Sequence, residues 1–176
     1  SYGGYATAWM ATYYSDVFAG GVMFVGISDF LSKVGTTDIP MEMELVHATE
    51  RVSDGLWVKY LERSPIYHIN NARTPLLIMH GKDDPRVSPT QSMEMHRHLK
   101  LKGDVPVRLV LYPGEGHGNR KRSNRLDYNL RMMRWFDTFL VEQRTVKPPI
   151  EVDYAEPGSA PVEASAEVDQ PEEEGR

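Results

Sequence analysis

The 176-residue sequence contains no cysteine, which excludes a disulfide scaffold, a thiol nucleophile and a cysteine-ligated metal site. It has no apolar run approaching the roughly 20 residues that a membrane-spanning helix needs, and no basic and apolar leader opens it. No spacing of potential ligands suggests a metal ion. We therefore expect a protein that works without a metal or another cofactor and has no membrane segment in this chain.

Basic side chains are outnumbered by acidic ones, 20 to 25, which gives a net charge of −5, but the imbalance is confined to one end. Residues 145–176 contain nine acidic and two basic side chains, five prolines and no periodic apolar pattern. Residues 1–144 are nearly neutral, so charge gives no argument for nucleic-acid binding, and the basic run at residues 120–125 is typical of a solvated face. We predict one domain over residues 1–144 and a disordered, Pro/Glu-rich tail over residues 145–176.

Strand-like and helix-like patterns alternate along residues 1–144. Apolar runs predict strands at residues 18–27, 75–79 and 105–112. Apolar periodicity predicts helices at residues 5–14, 88–100 and 124–141, the second with Ser88 as its N-cap. The residues expected to face the core from the last two helices are Met93, Leu99, Leu126, Leu130, Met133, Phe136 or Asp137, and Leu140. Strands that alternate with helices predict a parallel sheet in an α/β fold.

The chain opens on Ser1-Tyr2-Gly3-Gly4, directly before the first predicted helix. In a nucleophile elbow a serine sits on a sharp strand-to-helix turn, and the neighbouring positions must be small because the turn is crowded. Gly3 supplies a small residue two places after Ser1. Taken alone, the same letters also fit a flexible, glycine-rich segment.

Two further polar segments follow predicted strands. Residues 80–87 read HGKDDPRV, and either Asp83 or Asp84 could orient a histidine from this strand end, although an ordinary polar turn fits as well. Residues 112–118 read YPGEGHG and place His117 between two glycines, where the ring is accessible and suits a general base at neutral pH. The remaining histidines have no glycine-loop context, and His80 is interpreted as structural.

The order of these pieces is serine, then aspartate, then histidine, which is the order found in α/β-hydrolases. The chemistry they would supply is complete. Ser1 Oγ would attack a carbonyl carbon, His117 would accept the serine proton, and Asp84 or its neighbour would hold the histidine tautomer and stabilise the imidazolium.

The three segments SYGGY, HGKDDPRV and YPGEGHG closely resemble the catalytic domain of the prolyl oligopeptidase family, in particular its dipeptidyl-peptidase and acylaminoacyl-peptidase branches. The likeness covers roughly residues 1–143. It implies the C-terminal portion of an α/β-hydrolase fold and a serine peptidase that acts on short peptides. By this resemblance Ser1 is the nucleophile and His117 the base, and the family spacing selects Asp84 over Asp83 as the triad acid.

The resemblance also implies groups that bind the substrate. The backbone N–H of Tyr2 matches an oxyanion-hole donor, and Arg86 matches a side chain that binds a substrate carbonyl, a task that suits the fixed donors of a guanidinium. Ile27, Phe30 and Val87 fall where the family lines its pocket for the side chain before the cleaved bond. Plain core packing is the alternative for these three.

Members of the family carry further hydrolase segments, and usually a β-propeller, ahead of the nucleophile. The resemblance therefore implies that this chain is the C-terminal part of a longer peptidase, that those segments are its partners, and that the isolated chain has little activity. Three other interpretations stay open: a carboxylesterase-like hydrolase with the same triad, a non-catalytic binding module, and a hydrolase that uses a free N-terminal serine.

Overall fold

The computed structural model describes residues 1–48 and 51–154, and within them three parallel strands form one sheet. Strand β1 is Gly21–Phe24, β2 is Leu76–Gly81 and β3 is Val107–Tyr112, in the order β1-β2-β3. Every residue of β2 and β3 is buried, as is usual for strands of a parallel sheet covered on both faces. The predicted parallel α/β sheet is confirmed.

Helices cover both faces of this sheet. The helices are α1 (Tyr2–Thr12), α2 (Phe30–Thr36), α3 (Trp57–Glu62), α4 (Thr90–Lys102) and α5 (Arg122–Phe136), with shorter helical segments at Met43–Ala48, Val52–Asp54, Pro65–Asn71 and Asp137–Val141. On one face, Ala8 of α1 and Leu99 of α4 share a buried cluster with Ile78. On the other face, Trp135 of α5 packs with Leu77. Across the residues described, no helix combines the length and apolarity that crossing a membrane requires.

Several predicted boundaries differ from the structure by a few residues, and two of them have a local explanation. The first strand was expected to run to residue 27, but it ends at Phe24, because Val25 takes a positive φ of 45°. Such a φ is rare for a β-branched residue. Helix α4 begins at Thr90 with Pro89 as its N-cap. Ser88, the predicted N-cap, is therefore the residue before the N-cap.

Two predicted buried faces are also wrong in part. On α4, Leu99 is buried as expected, but Met93 is 45% exposed. On α5 the expected apolar face is displaced, and Met133 is 55% exposed. The side chains that α5 buries are Asp127, Arg131 and Trp135. Polar residues occupy this face because Arg131 Nε pairs with Asp127 Oδ2 at 2.9 Å, which satisfies both charges inside the protein.

Residues 148–150, just after the predicted end of the domain, are hydrogen-bonded to it. Residues 145–154 were predicted to be disordered, but buried arginines bind their backbone. Arg108 donates to the carbonyl oxygens of Pro148 and Pro149 at 2.7 and 3.1 Å, and Arg131 donates to that of Ile150 at 3.1 Å. A proline-rich segment can be bound in this way because prolines lack an N–H but still offer carbonyl acceptors. The domain boundary at residue 144 stays a prediction. The rest of the predicted tail, residues 155–176, lies outside the described residues.

Candidate active site

The predicted site residues come from three segments at the carboxyl edge of the sheet. Asp84 follows β2 and His117 follows β3, so neighbouring strands deliver them to the same edge. Ser1 precedes α1, and this end of the helix packs closely on the end of β1. A Cβ on Gly4 would collide with the backbone of Phe24 and Gly26. Ligand and catalytic sites of open α/β sheets lie at this edge.

Gly4, and not Gly3, is the crowded position of this segment. The sequence placed the need for a small residue at Gly3, two places after Ser1. Apart from its chain neighbours and the backbone of its own helix, no described atom lies within 4 Å of where a Cβ on Gly3 would be. Gly4 is buried against Gly26, and the two glycines allow α1 to approach the strand end. The close approach therefore fixes how the start of α1 packs against the end of β1.

Asp84 and His117 form a hydrogen-bonded pair. The distance from His117 Nδ1 to Asp84 Oδ2 is 2.8 Å, and the His117 side chain is 29% exposed whereas that of Asp84 is fully buried. A carboxylate only accepts, so Nδ1 carries the hydrogen and the neutral ring has its lone pair on Nε2. The ring thus has the tautomer that a general base needs, with its basic nitrogen on the side away from Asp84.

The Asp84 carboxylate accepts four hydrogen bonds. Oδ1 accepts from the backbone N–H groups of Arg86 and Val87 at 2.9 and 3.1 Å. Oδ2 accepts from His117 and, at 3.1 Å, from His80 Nε2. Burial alone would raise the pKa of Asp84, but the hydrogen bonds from His80, His117 and Val87 outweigh it and lower that pKa below its usual value. Asp84 is thereby held as a carboxylate in a fixed orientation.

A second buried carboxylate, which sequence reasoning missed, organises the loop around His117. Glu115 is 2% exposed and accepts hydrogen bonds from the backbone N–H groups of Arg120 and Lys121 at 2.8 and 2.9 Å. It also accepts from Asn124 Nδ2 at 2.7 Å. Burial opposes its ionisation, but these hydrogen bonds lower the pKa of Glu115. Glu115 thus ties the segment before His117 to the start of α5.

Ser1 is at the same sheet edge but is not hydrogen-bonded to His117. Its carbonyl oxygen accepts from the N–H of Tyr5 at 2.8 Å, while its hydroxyl does not cap the helix. The Tyr2 N–H belongs to the first turn of α1, where backbone donors have no intrahelical acceptor.

Arg86 lies beside this group and is held by an aspartate. Arg86 Nε donates to Asp38 Oδ1 at 2.7 Å and Nη2 donates to Oδ2 at 3.4 Å. The Arg86 side chain is 44% exposed, and the pair with Asp38 raises its pKa. Thr37 Oγ1 also donates to the Arg86 carbonyl oxygen at 2.7 Å. The guanidinium is therefore oriented while Nη1 keeps two further N–H donors.

The three predicted pocket residues come together, but in a buried environment. Ile27, Phe30 and Val87 are each at most 2% exposed and form one cluster with Met43 and Tyr60. This packing is what the alternative interpretation, a plain hydrophobic core, predicts. A role of the three side chains in binding substrate remains a prediction.

Comparison with known proteins places these features in a family. The parallel sheet with helices on both faces is an α/β fold, and it carries an Asp–His pair at the ends of two strands. The sequence profile of the prolyl oligopeptidase family matches residues 1–143, and the chain belongs to that family.

Curated relatives in the family are much longer than this chain. The human acylamino-acid-releasing enzyme is 32% identical over 145 residues, which are 80% of this chain and 20% of the relative. The dipeptidyl aminopeptidase BIII of Pseudoxanthomonas mexicana is 35% identical over 133 residues, which are 73% and 19% of the two chains. The chain thus spans about a fifth of the length of these relatives.

Solved structures share the fold. The acylaminoacyl peptidase of Pyrococcus horikoshii superposes with a TM-score of 0.69 at 30% identity, covering 79% of this chain and 22% of that one. A puromycin-hydrolyzing peptidase of Mycobacterium tuberculosis superposes with a TM-score of 0.71 at 28% identity, covering 78% and 20%. The three-stranded sheet therefore corresponds to part of a larger α/β-hydrolase peptidase domain.

Proposed function

We propose that this chain carries the catalytic triad of a serine peptidase that hydrolyses short peptides through an acyl-enzyme. The observation that carries the proposal is the 2.8 Å hydrogen bond from His117 Nδ1 to Asp84 Oδ2, at the sheet edge where α1 begins with Ser1. In this assignment Ser1 is the nucleophile, His117 the general base and Asp84 the residue that orients the base.

The reaction proceeds in two halves. Ser1 Oγ attacks the peptide carbonyl carbon as its proton moves to Nε2 of His117. The C–N bond then breaks, the amine leaves with the proton from Nε2, and the acyl group stays on Ser1 as an ester. Water attacks this ester while His117 takes a water proton. Collapse of the second tetrahedral intermediate releases the carboxylic acid and returns the proton to Ser1.

Two neighbouring groups would bind the substrate. The Tyr2 N–H would donate to the oxyanion that forms in each tetrahedral intermediate, and loss of one such donor typically slows turnover by about 10²–10³-fold. Nη1 of Arg86 would donate to a substrate carbonyl, since Asp38 already orients the guanidinium from its other side. We propose Ile27, Phe30 and Val87 as the apolar floor on which the side chain before the scissile bond rests.

The substrate class follows from the relatives and from Arg86. Relatives named as acylamino-acid-releasing enzymes and dipeptidyl peptidases support an enzyme that removes one or two residues from the N-terminal end of a peptide. Arg86 offers a donor to a peptide backbone carbonyl, which favours peptides over simple esters. The partners of this chain in that reaction would be upstream hydrolase and β-propeller segments of the same protein, which is what the greater length of the relatives suggests.

A fluorescent fluorophosphonate tests the assignment directly, on the chain alone and on the complete product of its gene. We expect labelling of the complete product and its loss in Ser1→Ala, whereas labelling that persists in Ser1→Ala contradicts the assignment. Turnover of acetyl-alanyl, dialanyl and longer anilides, compared with p-nitrophenyl butyrate, then separates the peptidase branches from a carboxylesterase. A folded complete product that takes no label favours a binding module.

A further inference from the structure

His80 is a buried histidine that the proposed reaction does not use. It is the penultimate residue of β2 and is fully buried. Both of its ring nitrogens are hydrogen-bonded. Nδ1 lies 2.6 Å from Ser92 Oγ on α4. Nε2 lies 2.9 Å from the Val87 carbonyl oxygen and 3.1 Å from Asp84 Oδ2. All of these hydrogen-bond partners are protein groups, so the protein sets the orientation of the ring.

The partners fix the tautomer of His80. The Val87 carbonyl oxygen can only accept, so Nε2 carries a hydrogen and shares it between that oxygen and Asp84 Oδ2. In the neutral ring Nδ1 is then an acceptor, and the Ser92 hydroxyl donates to it. A continuous chain of hydrogen bonds runs from Ser92 through His80 and Asp84 to His117.

The two oxygens of Asp84 are held differently. Oδ1 accepts hydrogen bonds from two backbone N–H groups of its own loop, and these two bonds do not fix the position of Oδ2. Oδ2 accepts only imidazole donors among the described residues, and one of them, His117, sits on a glycine-flanked loop. His80 is the donor to Oδ2 that the core of the protein holds rigidly.

We propose that His80, aligned by Ser92, is a positioning residue that fixes Asp84 Oδ2 for its hydrogen bond to His117. The proposal rests on the proposed function, because it assigns His80 to the same triad. Without the His80 donor, Oδ2 swings within the pocket and the His117 ring loses the support that sets its tautomer and its distance from Ser1. Misplacement of reacting groups by about 1 Å is known to cost on the order of 10²-fold in rate.

Two substitutions of His80 separate positioning from bulk packing. The amide nitrogen of Gln reaches the place of Nε2, so His80→Gln can keep the donor to Asp84. Asn reaches only the place of Nδ1, so His80→Asn keeps a partner for Ser92 but removes the donor to Asp84. His98→Asn is the matched control, because His98 is an exposed histidine on α4.

Two readouts are measured on the folded complete gene product. The first is the low-field NMR signal of the His117 Nδ1 hydrogen, assigned by its loss in His117→Gln. The second is the rate of fluorophosphonate labelling per folded molecule, together with kcat and KM on a cleaved anilide. We expect His80→Asn to broaden or lose the signal and to label about 10–100-fold more slowly, with kcat reduced and KM unchanged. His98→Asn should stay within a few-fold of wild type, and His80→Gln, which keeps the donor to Asp84 without the contact to Ser92, should fall between wild type and His80→Asn.

Wild-type signal and labelling rate in a folded His80→Asn variant would overturn the proposal. Equal losses in His80→Gln and His80→Asn would also overturn it, since they would indicate a packing role alone. If His80→Asn does not fold, Ser92→Ala takes its place, and an unchanged His117 signal in that variant contradicts the proposal. The NMR signal does not depend on catalysis, so a wild-type protein that shows the signal but takes no label would count against the proposed function and not against the role of His80.

Discussion

Gly81 at the end of β2 touches the backbone of Gly116 in the His117 loop. A Cβ on Gly81 would overlap the carbonyl oxygens of Gly116 and Glu115. The same two loops are joined by a hydrogen bond from the Asp83 N–H to the Glu115 carbonyl oxygen at 2.9 Å. This contact sets the spacing between the loop that carries Asp84 and the loop that carries His117.

Gly81→Ala should therefore separate the two loops, whereas Gly116→Ala should be tolerated. The nearest atom to a Cβ on Gly116 is the Asp83 carbonyl oxygen at 3.8 Å, an ordinary contact distance. We expect Gly81→Ala to lower the free energy of unfolding by about 1–3 kcal/mol and Gly116→Ala by less than about 1 kcal/mol. Denaturant unfolding of both variants measures this, and equal losses would contradict the structure.

Glu115→Gln should loosen the His117 loop. The neutral amide weakens the charge-assisted hydrogen bonds from the N–H groups of Arg120 and Lys121 and puts an N–H₂ group among donors. We expect faster amide hydrogen exchange at residues 116–121 and a slower rate of fluorophosphonate labelling. Glu62→Gln, which changes an exposed acid, is the control. Unchanged exchange in Glu115→Gln would show that the loop holds its shape without this carboxylate.

The stability that Asp84 contributes should disappear in acid. Its pKa in the folded protein lies below the usual value of 3.8, so the folded state favours the carboxylate more than the unfolded state does. The resulting stabilisation is present above pH 3.8 and is lost as the pH falls through the lowered folded pKa. The difference in unfolding free energy between wild type and Asp84→Asn should be largest near neutral pH and should shrink below about pH 4. A difference that grows in acid would contradict the predicted sign.

The hydrogen bonds from Arg108 to Pro148 and Pro149 should keep this segment packed on the domain. The Arg108 side chain donates to two carbonyl oxygens, and hydrogen bonds of charged groups each contribute about 1.5–3 kcal/mol. We expect Arg108→Met to destabilise the protein and to make residues 145–154 susceptible to protease. Arg73→Met is a matched control, because Arg73 pairs with Asp16 on the surface with both side chains more than three-quarters exposed, where an ion pair contributes about 0–1 kcal/mol. Equal stability of the two variants would contradict a holding role for Arg108.

The parallel sheet was predictable because its strands are short, continuous apolar runs. The Asp84 and His117 loops were predictable because each follows such a run directly. Helix α5 shows where this reasoning fails. Its apolar positions suggest one buried face, but the face that is buried contains Asp127 and Arg131. These two side chains bind each other and groups distant in sequence.

The roles of Glu115 and His80 were likewise hidden in the sequence. Neither residue belongs to a pattern that marks it as functional. Their hydrogen-bond partners come from later segments, such as Ser92 for His80 and Asn124 for Glu115. One signal was present for His80, since it lies four residues before Asp84 in the same segment. Residues 148–154 were missed for the same reason, because the arginines that bind them lie about 20 to 40 residues earlier.

Fluorophosphonate labelling of the complete gene product, with Ser1→Ala and His117→Gln as variants, tests the central claim most directly. We predict that the wild-type protein is labelled at one site, that Ser1→Ala takes no label, and that His117→Gln is labelled far more slowly. Mass spectrometry of the labelled peptide should place the adduct on Ser1. Labelling at another residue, or at an equal rate in Ser1→Ala, would contradict the assignment of Ser1, Asp84 and His117 as a catalytic triad.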